Sequence, residues 1–192
     1  MGNVIYSMMV SLDGLIEGPD KDIDWVIADE ELHKFINEYH RSAVGAYLFG
    51  RGMYETHAAY WPASESDTSA PEYILDYGRI WRAMPKVVFS TTLDQVVSNT
   101  RLVRDNAAQE VQKLKKEHDK DLWVGGAAVA ASLMRLGLVD EYGLFVQPVL
   151  LGCGTPMFLS DQNGRRDIHL VEERRFASGV VYLRYRRAAQ TR

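Results

Sequence analysis

The chain has 192 residues, of which 46% are apolar and 25% charged, and its net charge is −4. A chain of this length and composition buries one substantial core, so we expect a single domain over residues 1–192. The negative net charge argues against nucleic-acid binding. The lone cysteine excludes an internal disulfide framework. No apolar run reaches the ~20 residues of a membrane helix. A lone thiol and a first segment without a secretion signal are typical of a cytoplasmic protein.

Apolar runs alternate with helical patterns from the first residues onward. Asn3–Val10 predicts a buried strand, and Ser11-Leu12-Asp13-Gly14 predicts the turn that follows it. Leu15–Ile27 is expected to be a loop or lid because Gly18-Pro19-Asp20 lies in its middle. Asp29 to about His40 predicts a helix, since acidic residues occupy its first turn and apolar residues recur at helical spacing.

The second and third buried strands also end in turns. Ala46–Phe49 leads through Gly50-Arg51-Gly52 into a short helix, which we expect Trp61-Pro62 to end. Lys86–Ser90 is the third strand, and Ser90-Thr91-Thr92 closes its carboxyl end. In both places a polar or glycine-containing turn follows an apolar strand.

The last part of the chain combines a strand–helix–strand unit with a hairpin. Leu122–Val124 leads through Gly125-Gly126 into a helix from Ala127, and Tyr142–Leu151 returns as the second strand of a parallel pair, which makes a βαβ unit. Ile168–Phe176 and Val180–Arg187 predict an antiparallel hairpin. The whole pattern predicts an α/β fold in three layers, a mainly parallel twisted sheet between two layers of helices, with the C-terminal hairpin at one edge.

Residues that suit a phosphate-bearing ligand collect where the predicted strands end. In open parallel sheets, ligands bind beyond the carboxyl ends of the strands. Helix starts that follow glycine present unpaired N–H groups and the positive end of the helix dipole, while arginine and hydroxyl groups suit a further phosphate. Taken singly, these features are also explained by tight turns or a surface salt bridge. The candidate dinucleotide-binding residues are Gly50, Arg51, Gly52, Ser90, Thr91, Gly125, Gly126 and Ala127.

Several familiar binding motifs are missing from the sequence. Neither the G-x-G-x-x-G dinucleotide fingerprint nor the phosphate loop G-x-x-x-x-G-K-[ST] occurs. The five histidines show no metal-ligand spacing with other donors, so we expect no metal site.

Five blocks of sequence carry a resemblance to a known family. They are SLDG at 11–14, FGRGMYE at 49–55, VVFST at 87–91, LWVGGAAVAASLMRLGLVDEY at 122–142 and PVLLGCGTPMF at 148–158. Together they resemble the dihydrofolate reductase-like family that includes the C-terminal reductase domain of the bacterial riboflavin-pathway enzyme. The chain is most similar to the stand-alone, single-domain members.

This resemblance implies a dihydrofolate reductase-like fold, NADPH as cofactor and a homodimer. It implies that Gly125-Gly126 lies against the cofactor with a cis peptide between the two glycines. It also implies that the Gly50-Arg51 turn and the hydroxyls of Ser90 and Thr91 contact the phosphate end. Asp13 and the loop after it would close over the nicotinamide and the substrate.

The sequence singles out fewer residues for substrate binding and proton transfer than for the cofactor. Asp13 and Glu31 are the candidate proton donors, although each is also explained as a cap of its own turn or helix. Trp25 is a candidate to line the substrate, or equally an ordinary core tryptophan. Asp24-Trp25 lacks the proline of folate reductases, and Arg51 is followed by Gly52-Met53 without their threonine, which argues against folate. We could locate no anion-binding residues for a ribosylaminopyrimidine phosphate.

We therefore hypothesise an NADPH-dependent reductase that transfers hydride to a small heterocyclic or sugar-derived substrate, of the riboflavin-pathway type. The alternatives are a non-catalytic nucleotide-binding sensor, a dihydrofolate reductase proper, or a structural dimer-forming domain.

Overall fold

A computed structural model of the chain describes residues 1–65, 67, 69–97, 99–159 and 164–188. Its strands are β1 (Val4–Ser11), β2 (Leu15–Glu17), β3 (Val44–Gly50), β4 (Lys86–Phe89), β5 (Thr100–Val103), β6 (Asp121–Gly125), β7 (Glu141–Gln147), β8 (Thr155–Pro156), β9 (Ile168–Arg175) and β10 (Val181–Arg187). Its helices are α1 (Glu30–Ala43), α2 (Arg51–Glu65), α3 (Glu72–Ala83), α4 (Ala107–Glu117) and α5 (Ala127–Arg135), with one 3-10 turn at Pro19–Lys21.

Eight strands form one sheet in the order β5-β4-β3-β6-β1-β7-β10-β9. The first six run parallel, and β10 pairs antiparallel with both β7 and β9. β1 lies near the middle of this sheet, which explains its nearly continuous apolar sequence. The predicted α/β class, the mainly parallel sheet and the C-terminal hairpin are confirmed.

The two faces of the sheet carry separate cores. One core takes its helical side chains from α1, α2 and α3, among them Leu32, Tyr54 and Ile80. The other takes them from α4 and α5, among them Val111 and Leu133. The sheet is therefore the middle of three layers, and its carboxyl edge is bordered by helices from both sides.

Three predictions were wrong in detail. Strands β6 and β7 are parallel but not paired with each other, because β1 lies between them. Helix α2 does not end at Trp61-Pro62 but continues to Glu65. Pro62 lies in the last turns of the helix, where its missing N–H removes one backbone hydrogen bond without interrupting a long run. The segment Leu15–Ile27 is not only a loop, because it contains β2, which pairs antiparallel with β8.

Candidate functional site

The two glycine turns lie side by side at the carboxyl edge of the sheet. Phe49 of β3 is paired with Gly125 of β6, so Gly50 and Gly126 leave the sheet next to each other. A Cβ on Gly126 would lie 3.4 Å from Cβ of Met53 in α2, and a Cβ on Gly50 would lie 3.6 Å from Cβ of Val129 in α5. Each turn therefore touches the helix that follows the other, and the starts of α2 and α5 lie together.

The turn before α5 needs glycine at both positions, for different reasons. Gly126 has a φ of 102°, which L side chains rarely adopt, and no side chain caps the helix that follows. A Cβ on Gly125 would lie only 2.8 Å from the Trp123 ring and 2.9 Å from the Phe49 ring, so this glycine is required by aromatic packing. The first amides of α5, from Ala127 onward, have no acceptor within the helix and are available to a ligand.

The expected cis peptide between Gly125 and Gly126 was wrong, because no cis peptide bond occurs among the described residues. The positive φ of Gly126 makes the sharp change of direction between strand and helix with trans bonds.

Arg51 connects the end of β3 with the end of β4. Its Nη1 donates to Oγ1 of Thr92 at 3.2 Å, and its Nε donates to Oε1 of Glu55 at 2.9 Å. Half of the Arg51 side chain, 51%, remains exposed, so it can still contact a ligand. Ser90 uses its hydroxyl locally, because Oγ accepts the amides of Thr92 and Leu93. The hydroxyl that meets the arginine is thus that of Thr92, which the sequence placed in the turn but not in the site.

Arg104 is a second arginine at the carboxyl edge of the sheet, and the sequence analysis did not identify it. Its Nη1 donates to the carbonyl of Thr91 at 3.1 Å, and its Nη2 donates to the carbonyl of Leu93 at 2.9 Å. It directly follows β5, the outermost parallel strand. Its position directly after a strand could have identified it, because the other candidate residues also directly follow their strands.

Asp13 is held by hydrogen bonds at the end of β1. Its carboxylate accepts from Ser11 Oγ at 2.6 Å and from the amides of Leu151 and Gly152 at 3.2 and 2.7 Å. The Ser11 hydroxyl, followed by the Gly152 amide, lowers the pKa of Asp13 to about 2. Asp13 is therefore ionised at neutral pH and ties the end of β1 to the segment after β7.

Glu31 and Trp25 lie near the β7 side of the same edge. Glu31 accepts from the amide of Ala177 at 3.1 Å and from Arg174 Nη2 at 3.3 Å, so it joins α1 to the turn between β9 and β10. Asp29, not Glu31, caps α1, because its carboxylate accepts from the amide of Leu32. The half-buried Trp25 donates its indole N–H to the carbonyl of Asp22. The structure does not bring Glu31 and Asp13 into one hydrogen-bonded pair.

The chain is similar to known proteins in both sequence and fold. The model of the RibD C-terminal domain matches residues 3–182. The chain belongs to this family. Two relatives in Bacillus subtilis strain 168 are the uncharacterized proteins YyaP, 35% identical over 185 residues, and YwjB, 27% identical over 158 residues. The first alignment covers 95% of this chain and 93% of YyaP, and the second covers 81% of each.

Solved structures show the same fold. A putative riboflavin biosynthesis protein from Shewanella sp. PV-4 superposes with a TM-score of 0.77 at 18% identity, covering 98% of this chain and 100% of the other. A deaminase/5-amino-6-(5-phosphoribosylamino)uracil reductase from Thermotoga maritima gives 0.67 at 18% identity, covering 97% and 57%. Dihydrofolate reductase from Enterococcus faecalis, complexed with NADP(H), gives 0.60 at 12% identity, covering 98% of both chains. The dihydrofolate reductase-like architecture is confirmed.

The described residues contain neither a membrane-spanning helix nor a metal-binding cluster. No helix in the described part of the chain combines the length and apolar character needed to cross a bilayer. No group of three or more His, Cys, Asp or Glu side chains among the described residues is placed to hold a metal ion.

Proposed function

We propose that this member of the RibD C-terminal domain family is an NADPH-dependent reductase that transfers hydride to a small heterocyclic or sugar-derived substrate. The observation that carries the proposal is the junction of the two glycine turns with Arg51. Two helix starts and a half-exposed guanidinium meet there, and together they suit the several phosphates of a dinucleotide.

The residues present fit such a cofactor. The uncapped start of α5 at Ala127 and the start of α2 at Arg51 would hold the pyrophosphate through backbone amides. Arg51, together with Thr92 and Ser90, would receive a phosphate on the adenosine ribose, and Gly52 leaves open space beside them. Thr91 and Arg104 keep this turn in place, since Arg104 holds the Thr91 carbonyl.

Bound NADPH supplies the hydride, so the chain's own part is orientation and proton supply. The ionised Asp13 holds the β1 end in place and is a poor proton donor at neutral pH. Glu31 remains the candidate donor. Its carboxylate accepts from Arg174 and from the Ala177 amide, so its proton would have to come from solvent, to which 43% of the side chain is exposed. Trp25, on the loop that crosses the end of β7 through the Ile27–Gln147 hydrogen bond, would border the substrate.

The test is a titration with NADPH followed by chemical denaturation. At ~100 times its Kd, NADPH should raise the free energy of unfolding by about 2.7 kcal/mol. NADPH oxidation, followed by absorbance across a panel of heterocycles, then separates a reductase from a sensor that binds without turnover. An unchanged free energy of unfolding at millimolar NADPH would refute both the reductase and the sensor.

We further propose a cytoplasmic homodimer. Outer strand β9 supports the dimer, because Ile168, Leu170 and Val171 on it are 44%, 45% and 40% exposed. The lone, exposed Cys153 is compatible with a reducing compartment. Analytical ultracentrifugation at micromolar concentration should give twice the monomer mass, and a monomer there would contradict the dimer.

A further inference from the structure

An aromatic wall borders the proposed cofactor site on the sheet face covered by α1, α2 and α3. We define it by Phe49, Met53, His57, Trp61 and Trp123. The His57 ring lies 5.2 Å from the Phe49 ring, 6.2 Å from the Trp61 ring and 6.4 Å from the Trp123 ring. Phe49 is fully buried, whereas the other four side chains are only half-buried. The wall lies directly beside the glycine turns, because a Cβ on Gly125 would meet the Phe49 and Trp123 rings and a Cβ on Gly126 would meet Met53.

His57 presents a hydrogen-bond donor from this wall. The indole N–H of Trp61 donates to Nδ1 of His57 at 3.3 Å, so Nδ1 is an acceptor and the proton of the neutral ring is on Nε2. Burial lowers the pKa of His57 to about 4, which keeps the ring neutral at physiological pH. Among the described residues, Nε2–H has no acceptor within hydrogen-bond distance. The Nε2–H group of the half-buried His57 can therefore donate a hydrogen bond to a ligand.

The aromatic wall itself offers a phosphate no cation, because its His57 ring is neutral and its other four side chains are uncharged. His33 of α1, whose ring lies 6.4 Å from that of Trp61, connects the wall to the acidic first turn of α1. Beside that turn Lys34 pairs with Glu30 at 2.7 Å and Arg174 with Glu31 at 3.3 Å, so each cation there is balanced by a carboxylate. Arg51 and Arg104 lie at the ends of β3 and β5, on the proposed cofactor side.

We propose that the aromatic wall receives an uncharged, planar heterocycle without a phosphate group, and that Nε2–H of His57 donates to a carbonyl or ring-nitrogen acceptor on it. The half-buried rings of Trp123 and Trp61 provide flat apolar surface for such a substrate, and His57 provides the polar contact that sets its orientation. This inference rests on the proposed function, and it names the substrate class of the same site.

The first test compares two probes that differ only in phosphate. 5-Amino-6-(ribosylamino)uracil and its 5′-phosphate are titrated into the protein loaded with NADP⁺, which cannot transfer hydride, with quenching of tryptophan fluorescence as the readout. We expect the uncharged probe to bind at least as tightly as the phosphate. Tighter binding of the phosphate, or no binding of the uncharged probe, would overturn the inference. Loss of NADPH binding itself would instead overturn the proposed function.

The second test asks whether His57 is the donor. His57→Gln keeps an N–H near the position of Nε2, whereas His57→Asn is too short and His57→Phe has none. Loss of a neutral hydrogen bond should lower the affinity for the uncharged probe about three- to tenfold in His57→Asn and His57→Phe. His57→Gln should stay within about twofold of the wild type, since it keeps that bond. Affinity for NADPH should be unchanged in all three. Equal probe affinity in the Gln and Asn variants would overturn the role of His57.

Discussion

Asp13 shows how a carboxyl group at the edge of a candidate active site can serve the fold. Its pKa falls from 3.8 to about 2 because Ser11 and the Gly152 amide donate to the ionised form. Since the pKa is lower in the folded than in the unfolded chain, the unfolded chain binds more protons between these values. The contribution of Asp13 to stability is therefore present above about pH 4 and is lost as the pH falls towards 2.

This pH dependence is measurable with Asp13→Asn. The variant should unfold at lower urea concentration than the wild type at pH 7, and the difference should shrink as the pH falls from 4 to 2. Asp24→Asn, in an exposed loop, is the matched control and should change the urea midpoint little at any pH. A wild-type advantage that persists unchanged at pH 2 would contradict the assigned hydrogen bonds.

Gly126 and Gly52 offer a matched pair of alanine substitutions. Gly126→Ala places a side chain at a φ of 102° and should destabilise the protein by about 1–3 kcal/mol. Gly52→Ala lies inside α2 with no atom within 4 Å of its new Cβ, so it should be neutral or stabilise by about 0.5–1 kcal/mol. Urea unfolding of both variants checks this, and similar effects at the two positions would contradict the backbone geometry.

At the residue scale, the sequence predicted the positions of the turns better than the side-chain contacts. Gly50, Arg51 and Gly126 were identified because a strand, a turn and a helix follow each other locally. Thr92 and Arg104 enter the site through contacts that depend on how β4 and β5 are placed. His57 was missed because its partners come from α2, β3 and β6, and no local pattern shows that these meet.

At the element scale, the start of β7 is held by buried charge. Glu141 is fully buried, and its carboxylate accepts from Arg184 Nε and, at 2.8 Å, from Arg186 Nε of the neighbouring β10. Arg184 also lies 3.4 Å from Asp121 of β6. These ion pairs lie at the opposite end of the sheet from the candidate site, since β6 and β7 begin there.

Removing Glu141 should therefore affect stability without touching the ligand site. Glu141→Ala removes the carboxylate that both arginines share and leaves Arg184 only its longer contacts, to Asp121 at 3.4 Å and Glu172 at 3.9 Å. It should cost about 3 kcal/mol of unfolding free energy, the lower end of the range for a broken buried ion pair. Glu173→Ala, on exposed β9, is the control and should cost less than about 0.5 kcal/mol. Guanidinium denaturation at pH 7 measures both, and a loss below about 1 kcal/mol in Glu141→Ala would show that the charges are not buried as described.

The structure also explains which elements could be predicted. The parallel strands and the hairpin followed from apolar runs and their lengths. The order of the sheet did not, because neighbours such as β1 and β7 are paired across long stretches of sequence. The length of α2 was underestimated because Pro62 lies in the last turns of the helix, where one missing backbone hydrogen bond does not end it.

At the scale of the whole molecule, the carboxyl edge of the sheet is divided by charge. Arg51 and Arg104 stand at the ends of β3 and β5, and the acidic first turn of α1 stands beside the aromatic wall. This division would orient a ligand that carries phosphates at one end and an uncharged ring at the other. It matches the proposed arrangement of an anionic dinucleotide and a neutral substrate.

The measurement that tests the central claim most directly is the ratio of NADH to NADPH dissociation constants in the wild type and in Arg51→Ala. A charge-assisted contact with the additional phosphate is worth about 1.5–3 kcal/mol, so NADPH should bind the wild type at least about tenfold more tightly. That preference should vanish in Arg51→Ala and persist in Arg41→Ala, whose arginine pairs with Asp76 at 2.6 Å on the α1–α3 surface. Equal affinity for the two nucleotides in the wild type, or a preference that survives Arg51→Ala, would contradict the account.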